Sequence, residues 1–316
     1  MSALTELESS FRQSLNATVI GMEELIQALL IATVSRGHIL VQGAPGLGKT
    51  LLGKTLATSL GGRFTRVQGT ADLMPSDITG VHVFDASTRQ FALHPGPVFT
   101  DILLVDEINR TGPKTQSALL EAMAERQVSI DRNTYPLPDD FLVIATQNPH
   151  EFEGTYPLPE SQLDRFMMRV DIGYPSAAAE AAILDRYGTI AATANAAVPA
   201  GTGVITAAQI DAARAEADRI HVSPEVTGYV TAIAAASRDD PHISLGLSSR
   251  GAIALVRAAR VLAGLRGSTF VTPDDIKQVA HWVIPHRLGL SPDAVLERRT
   301  DHGLTAALLN RVAVPR

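Results

Sequence analysis

The fold of this chain is decided by one stretch of sequence, Gly43-Ala44-Pro45-Gly46-Leu47-Gly48-Lys49-Thr50. The apolar run His38 to Val41 precedes it, and a predicted helix from Leu51 to Leu60 follows it. Glycines allow a tight turn in which several backbone N–H groups converge on phosphate oxygens, and the helix N-terminus adds the positive end of its dipole. A strand, a glycine-rich loop and a helix in this order predict a phosphate-binding loop rather than an ordinary corner between a strand and a helix.

Two side chains at the end of this loop are predicted to reach the nucleotide. Lys49 can contact the β- and γ-phosphates, and the Thr50 hydroxyl can ligate the Mg²⁺ ion that accompanies them. ATP and Mg²⁺ are therefore the expected cofactors. The predicted nucleotide-binding residues are Gly43, Ala44, Pro45, Gly46, Leu47, Gly48, Lys49, Thr50, Leu51 and Asp106.

A second strand is predicted to end in two acidic residues. Residues 102–105 are all apolar, as in a strand buried on both faces, and Asp106 and Glu107 follow at its carboxyl end. We expect Asp106 to hold Mg²⁺, through water, and Glu107 to polarise the water that attacks the γ-phosphate. Taken alone, two such acids could equally mark a strand that leaves the core for solvent. The phosphate-binding loop upstream favours the catalytic interpretation.

A polar residue follows another predicted strand, residues 141–146. Asn148 could donate hydrogen bonds from its amide to the γ-phosphate and accept one from the attacking water. It could equally form an Asx turn before Pro149. Both interpretations of Asn148 are open at this point.

Three further features organise the first half of the chain. A helix is predicted from Glu23 to Arg36, with Gly37 ending it. Two β-hairpins are predicted from alternating apolar and polar residues, one with its turn at residues 85–89 and one with its turn at residues 131–133. The first hairpin is compatible both with a surface flap and with an element that faces the substrate.

The second half of the chain is predicted to be mainly helical. Strand-like runs largely disappear after residue 176, and three pairs combine an N-cap hydroxyl with a proline at the first helical position, Ser223-Pro224, Thr272-Pro273 and Ser291-Pro292. We expect an ATP-binding core domain of residues 1–176 and a helical domain of residues 177–316. A helix from Ser249 to Leu265 would carry Arg250 near its start.

Composition excludes several classes of protein. The chain has 316 residues and no cysteine, so it forms no disulfides and no thiolate metal sites. Its net charge is −6, without a run rich in Lys and Arg, which disfavours a general nucleic-acid surface. No segment has the length and hydrophobicity of a membrane span, and the first residues lack a secretory pattern. We therefore expect the cytoplasm as the location.

The motifs, in this order, resemble those of AAA+ ATPases, and more narrowly those of the MoxR family. The resemblance covers most of the chain and is carried by GAPGLGKT (43–50), GPVFTDILLVDEINR (96–110), LVIATQNP (142–149), LPESQLDRF (158–166) and GLSSRG (246–251). It implies an α/β fold with a parallel P-loop sheet, hairpin inserts and a smaller all-α lid domain. It also implies a Walker A motif at residues 43–50, a Walker B motif at Asp106 and Glu107, sensor 1 at Asn148, an arginine finger at Arg165 and sensor 2 at Arg250.

Arg165 is expected to serve the active site of a neighbouring subunit. The loop, both acids and Asn148 follow the carboxyl ends of strands, whereas Arg165 lies just before a strand begins. The alternative is a structural ion pair between Arg165 and Asp164 or another nearby acid.

The resemblance further implies a ring-forming homo-oligomer, a hexamer, that uses Mg²⁺ and ATP to remodel or activate a protein client. A von Willebrand factor A-domain protein is a candidate client, and insertion of a metal or cofactor is a candidate task. The alternatives are a nucleic-acid translocase related to MCM helicases, a subunit like that of magnesium chelatase, and a nucleotide-gated scaffold that hydrolyses little. Each hairpin tip carries one Arg against one Asp, which is too little positive charge to follow a phosphate backbone and makes nucleic acid an unlikely partner.

Overall fold

A parallel sheet of five strands lies at the centre of the first half of the chain. The computed structural model describes residues 2–44, 46–149, 153–189 and 205–315. The strands of this sheet are β1 (Ile39–Gly43), β2 (Phe64–Gln68), β5 (Ile102–Asp106), β8 (Leu142–Gln147) and β9 (Met168–Ile172), in the spatial order β2-β5-β8-β1-β9. All four neighbouring pairs are parallel, so the carboxyl ends of the strands lie along one edge. The α/β class is confirmed, and so are the strands predicted before the loop, at residues 102–105 and at residues 141–146.

Both predicted hairpins are present as separate antiparallel pairs. They are formed by β3 (Gly80–Asp85) with β4 (Gln90–Pro95), and by β6 (Gln127–Ile130) with β7 (Asn133–Pro136). His82 joins the two hairpins, because its ring nitrogens lie 2.7 Å from Asp131 Oδ2 and 2.8 Å from the Tyr135 hydroxyl. On the first hairpin, Phe84 and Phe91 are 53% and 71% exposed and contact each other edge to face. The first hairpin therefore presents apolar surface to solvent.

Helices cover both faces of the sheet. They are α1 (Ala3–Asn16), α2 (Glu23–Ser35), α3 (Lys49–Ser59), α4 (Pro75–Thr79), α5 (Pro113–Glu125) and α6 (Glu160–Leu163). One prediction about their ends is wrong: the left-handed residue that ends α2 is Arg36, with φ 54°, and not Gly37. Gly37 is required for another reason, since a Cβ atom there would lie 2.3 Å from the sulfur of Met167.

The second half of the described chain is mainly helical, as predicted. Its helices are α7 (Ala177–Tyr187), α8 (Ala207–Arg219), α9 (Pro224–Arg238), α10 (Ser249–Leu265), α11 (Pro273–Val283), α12 (Pro292–Leu296) and α13 (Asp301–Arg311), and one short sheet pairs β10 (Ile243–Leu245) with β11 (Gly289–Leu290). Ser223, Thr272 and Ser291 each accept a hydrogen bond from the backbone N–H three residues on, so the predicted caps are formed. None of the helices in the described ranges is long and apolar enough to span a bilayer.

One apolar core extends from a face of the sheet into the helical half. Helix α1 connects the two, because it packs against α3 on one side and against α8 and α10 on the other. The contact is close: a Cβ atom on Gly264 of α10 would lie 2.2 Å from a methyl carbon of Leu4. A second core fills the other face of the sheet, under α5 and the second hairpin. Because the first core is continuous, the division of the chain after residue 176 stays a prediction.

Candidate active site

The predicted phosphate-binding loop lies at the carboxyl edge of the sheet, between β1 and α3. Gly46 and Gly48 both have φ 82°, in the left-handed region that residues with a side chain rarely adopt. Helix α3 begins at Lys49, whose Nζ donates a hydrogen bond to the Gly43 carbonyl oxygen at 2.8 Å. Burial lowers the pKa of Lys49, and the charges of Asp106 and Glu107 oppose that shift. An ammonium group is thus held inside the loop, where phosphates would bind.

Most of the predicted nucleotide-binding residues line one cleft at this edge. The described residues around it are Gly43, Gly46, Leu47, Gly48, Lys49, Thr50, Arg66, Gln68, Asp106, Glu107, Thr146 and Asn148. Ala44 lines an adjacent cavity instead. Leu51 is half-buried in the first turn of α3, and its carbonyl oxygen accepts a hydrogen bond from Thr55. Pro45 lies outside the described residues.

Both predicted acids are held by residues from neighbouring strands. Asp106 is 9% exposed, and its Oδ1 accepts a hydrogen bond from the Thr146 hydroxyl at 3.2 Å. The same hydroxyl accepts the backbone N–H of Glu107 at 3.0 Å. Oε2 of Glu107 accepts a hydrogen bond from Gln68 Nε2 at 2.9 Å. The strand therefore delivers its acids into the cleft, where other strands hold them, and not into open solvent.

The turn after β5 places Glu107 in an unusual backbone conformation. Glu107 has φ 55°, which costs a residue with a side chain about 1 kcal/mol or more. Gly69 makes room for this turn: its N–H donates to the Asp106 carbonyl oxygen at 2.7 Å, and a Cβ atom there would lie 2.3 Å from the Glu107 carbonyl oxygen. In this conformation the Glu107 carboxylate lines the cleft and meets Gln68 of the neighbouring strand.

Arg66 and Gln68 are site residues that the sequence reasoning missed. Arg66 Nε lies 2.6 Å from Asp106 Oδ2, and Arg66 Nη2 donates to Gln68 Oε1 at 3.0 Å. These residues reach Asp106 because of the strand order in the sheet: β2 lies beside β5, with Gln68 in register with Asp106. The signal in the sequence is that polar residues lie near the carboxyl end of β2.

The oxygen donors in the cleft fit Mg²⁺. Thr50 supplies a hydroxyl and Asp106 a carboxylate, and both line the cleft beside the loop. Mg²⁺ prefers a few hard oxygen ligands from the protein and keeps several waters. These two residues therefore match the chemistry that the ion requires.

Arg165 and Arg250 lie together in a different cavity. This cavity is lined by His38, which precedes β1, and by Arg165 and Met167, which precede β9, so it adjoins the amino edge of the sheet. It shares no lining residue with the nucleotide cleft. At about 3.3 Å of rise per residue, the length of β9 puts about 15 Å between the two edges. Within one chain, the two arginines are brought to each other and away from the phosphate-binding loop.

The predicted alternative for Arg165, an ion pair with Asp164, is wrong. Arg165 Nη1 donates to the Leu120 carbonyl oxygen at 2.7 Å. Asp164 pairs instead with the buried Arg287, whose Nε lies 2.7 Å from Asp164 Oδ1. Among the residues that the structure describes, Arg165 forms no ion pair with an acid and Arg250 forms neither an ion pair nor a hydrogen bond through its side chain.

A partly buried network links the two chain segments that carry these arginines. Asp164 also accepts hydrogen bonds from the Ser248 hydroxyl, at 2.9 and 3.0 Å. Ser248 caps α10, the helix that carries Arg250. Burial lowers the pKa of Arg287, and its hydrogen bond and ion pair with Asp164 oppose that shift. Arg287 also donates hydrogen bonds to the carbonyl oxygens of Met167 and Phe166. These bonds connect the segment around Arg165 to the helical half of the chain.

Comparisons with known proteins agree with this architecture. Residues 38–168 match the ATPase family associated with various cellular activities (AAA), and residues 235–305 match the AAA lid domain. The protein YeaC of Bacillus subtilis is 40% identical over 96% of this chain and 93% of its own length. Chaperone MoxR1 of Mycobacterium tuberculosis is 38% identical over 94% of this chain and 79% of its own length. A crystal structure of a candidate ATPase from Cytophaga hutchinsonii superposes with a TM-score of 0.89, at 34% identity, over 99% of this chain and 97% of that one.

Proposed function

Because this chain belongs to the MoxR-type AAA+ ATPases, we propose that it is one subunit of a ring in which each ATP is bound by one copy and completed by the next. As a member of this family the chain is an ATPase and binds nucleotide. One observation carries the proposal of a shared site: Arg165 and Arg250 line a cavity at the opposite edge of the sheet from the nucleotide cleft. In phosphoryl transfer an arginine finger, which a neighbouring subunit can supply, stabilises the transferring γ-phosphoryl group, and neither Arg165 nor Arg250 lines the cleft of its own chain.

The residues of the cleft have distinct roles in the proposed hydrolysis. The loop N–H groups and Lys49 bind the phosphates. Thr50 and Asp106 would hold Mg²⁺, which would supply positive charge beside the phosphates. Glu107 accepts a proton from the attacking water while the water oxygen bonds to the γ-phosphorus. At the same time the bond between the γ-phosphorus and the bridging oxygen breaks, and that oxygen leaves with ADP. Asn148 lines the same cleft and orients that water. The products are ADP and inorganic phosphate.

The partner's arginines complete the site in this arrangement. Arg165 of one copy reaches the γ-phosphate bound by its neighbour, and Arg250 contributes from the same cavity. A joint action is favoured, because Asp164, Ser248 and Arg287 link the segment that carries Arg165 to the helix that carries Arg250. We assign the ring as a hexamer on family resemblance.

The proposed task is the remodelling or activation of a protein client in the cytoplasm. The relative from Mycobacterium tuberculosis is named a chaperone, and the first hairpin of this chain exposes Phe84 and Phe91, which suits contact with a polypeptide. A client with a von Willebrand factor A domain, and insertion of a metal or cofactor into it, are the finer forms of this proposal. A nucleic-acid motor is disfavoured, because the tips of the two hairpins carry little positive charge.

Mixing two inactive variants tests the shared site. Lys49→Ala spoils the cleft and Arg165→Ala spoils the partner's contribution, so each homogeneous ring should lose activity, by roughly 10³-fold or more for the arginine. A mixed ring should regain activity at interfaces where an intact Lys49 faces an intact Arg165. Steady-state phosphate release is the measurement, with subunit exchange and ring formation checked by native mass spectrometry.

A second mixture serves as the control. Wild-type subunits diluted with Lys49→Ala subunits show whether one dead site silences a whole ring. If that mixture keeps activity in proportion to its wild-type content, while the two inactive variants never rescue each other, then Arg165 acts within its own chain and the shared site is wrong. Wild-type activity in Arg165→Ala alone would lead to the same conclusion.

A further inference from the structure

Arg66 makes a direct contact with the carboxylate that we assign to Mg²⁺. Its Nε lies 2.6 Å from Asp106 Oδ2, and its side chain lines the nucleotide cleft. Its guanidinium is oriented by a second hydrogen bond, from Nη2 to Gln68 Oε1. A guanidinium stays charged at any pH that the fold tolerates. Arg66 therefore places a permanent positive charge on Asp106, inside the space where phosphates and the metal ion would meet.

Two cations compete for this carboxylate. The Asp106 side chain is 12% exposed, and Thr146 already donates to its other oxygen. A guanidinium and Mg²⁺ at the same carboxylate repel each other, and in partly buried surroundings the repulsion is several times stronger than in water. The Arg66 side chain is 49% exposed, so it has room to move away from Asp106. Exchange of one cation for the other is therefore sterically open.

We propose that Arg66 is the counter-ion with which Mg²⁺ exchanges at Asp106, so that Arg66 sets how strongly nucleotide binding depends on Mg²⁺. The proposal rests on the role of Asp106 under the proposed function. Without Mg²⁺, Arg66 neutralises the Asp106 carboxylate, which removes a negative charge that would repel the phosphates and so supports nucleotide binding. With Mg²⁺, the same guanidinium has to be displaced, which weakens binding of the metal and nucleotide together. Removing Arg66 changes the two affinities in opposite directions.

The ratio of two dissociation constants measures this effect. Calorimetry with the full chain gives the Kd of AMP-PNP in excess EDTA and in excess Mg²⁺, and the ratio of the first to the second reports the Mg²⁺ dependence. Arg66→Gln should raise this ratio at least about fivefold over wild type. Arg66→Lys retains the charge and should stay closer to wild type. An unchanged ratio in Arg66→Gln would overturn the proposal.

A neighbouring arginine provides the matched control. Arg63 lies three residues before Arg66 and pairs with Asp101 at 3.5 Å, outside the cleft. Arg63→Gln removes the same charge from directly before the start of the same strand, away from the cleft, and should leave the ratio unchanged. A similar rise in Arg63→Gln would show that net charge, and not the contact with Asp106, is responsible, and would also overturn the proposal.

Variants of Asp106 separate this proposal from the assignment on which it rests. Asp106→Asn should lower the ratio if Asp106 holds Mg²⁺, and adding Arg66→Gln to it should produce no further change. If Asp106→Asn leaves the ratio at the wild-type value, the Mg²⁺ assignment itself fails. If Arg66→Gln raises the ratio equally with Asp106 and with Asn at that position, then Arg66 acts directly on the phosphates and the exchange at Asp106 is wrong.

Discussion

Lys49 is the mobile positive charge of the phosphate-binding loop, and its Nζ already bonds to the Gly43 carbonyl oxygen at 2.8 Å. Lys49→Ala removes the charge that would meet the β- and γ-phosphates, so ATP affinity should fall at least about tenfold. The fold should survive, since the side chain points into a cleft and not into a core. Calorimetric titration with ATP is the measurement.

Lys54 offers a control on the same helix. It is exposed and does not line the cleft, so Lys54→Ala should bind ATP as the wild type does. Equal ATP affinity in Lys49→Ala and wild type would remove Lys49 from the site.

Glu107 separates chemistry from binding. Glu107→Gln keeps the size of the side chain and its hydrogen bond from Gln68, but it removes the group that accepts the proton of water. We expect turnover to fall by roughly 10²- to 10⁴-fold, with the Kd for ATP within a few-fold of wild type. Single-turnover phosphate release and ATP binding should be measured on the same preparation. Hydrolysis at the wild-type rate would mean that another residue positions the water.

At the scale of elements, the start of α10 links the helical half to the segment that carries Arg165. Ser248 caps this helix by accepting the Gly251 N–H at 3.0 Å, and its hydroxyl also donates to Asp164. Ser248→Ala should cost about 1 kcal/mol of unfolding free energy through the lost cap. Under the proposed function it should also lower turnover while ATP affinity stays constant, because the cleft of the same chain is untouched.

Ser223 provides the matched comparison. It caps α9 by accepting the Val226 N–H at 3.3 Å, and α9 does not carry Arg250. Ser223→Ala should therefore lose similar stability in denaturant unfolding but keep its steady-state ATPase rate. Equal rates in the two variants would show that the bond between Ser248 and Asp164 does not position the arginines.

At the scale of the whole molecule, two buried histidines make stability depend on pH. His38 accepts the Val143 N–H through Nδ1, and its Nε2 lies 3.0 Å from the Met123 carbonyl oxygen, to which it donates. Burial lowers the pKa of His38 to about 4, against a hydrogen bond to Met123 that raises it and the charge of Arg126 that lowers it further. Burial also lowers the pKa of His286 well below its ordinary value. Both side chains are neutral in the folded protein near neutral pH.

The direction of the pH effect follows from these lowered pKa values. Below about pH 6.5 the histidines of the unfolded chain bind protons that those of the folded chain do not. The free energy of unfolding therefore decreases as the pH is lowered, until about pH 4, where His38 of the folded protein also protonates. His38 alone should remove about 2 kcal/mol between pH 7 and pH 5. Urea unfolding at the two pH values is the measurement.

Two substitutions check the assignment to His38. His38→Gln retains a donor and an acceptor but does not titrate, so its unfolding free energy should depend less steeply on pH than that of wild type, with His286 supplying the remainder. His94 is exposed on the first hairpin, and His94→Gln should keep the wild-type dependence. An unaltered dependence in His38→Gln would show that His38 does not contribute.

The sequence by itself determined the features that depend on residues close together along the chain. Backbone freedom and spacing in Gly43 to Thr50 identify the loop, and continuous apolar runs identify the buried strands. Period-two alternation identifies both hairpins, and Ser-Pro or Thr-Pro pairs identify helix starts in the second half. These signals are local because turn geometry, capping and strand periodicity involve residues only a few positions apart.

Only the tertiary structure decided which distant residues meet. Arg66 and Asp106 are forty positions apart along the chain and become neighbours because β2 lies beside β5 in the sheet. Asp164 pairs with Arg287 and not with the adjacent Arg165, because the helical half packs against the segment before β9. That docking also places Arg250 beside Arg165 and away from the nucleotide cleft. Sheet order and the packing of helices result from burial of apolar surface across the whole chain, which no local pattern records.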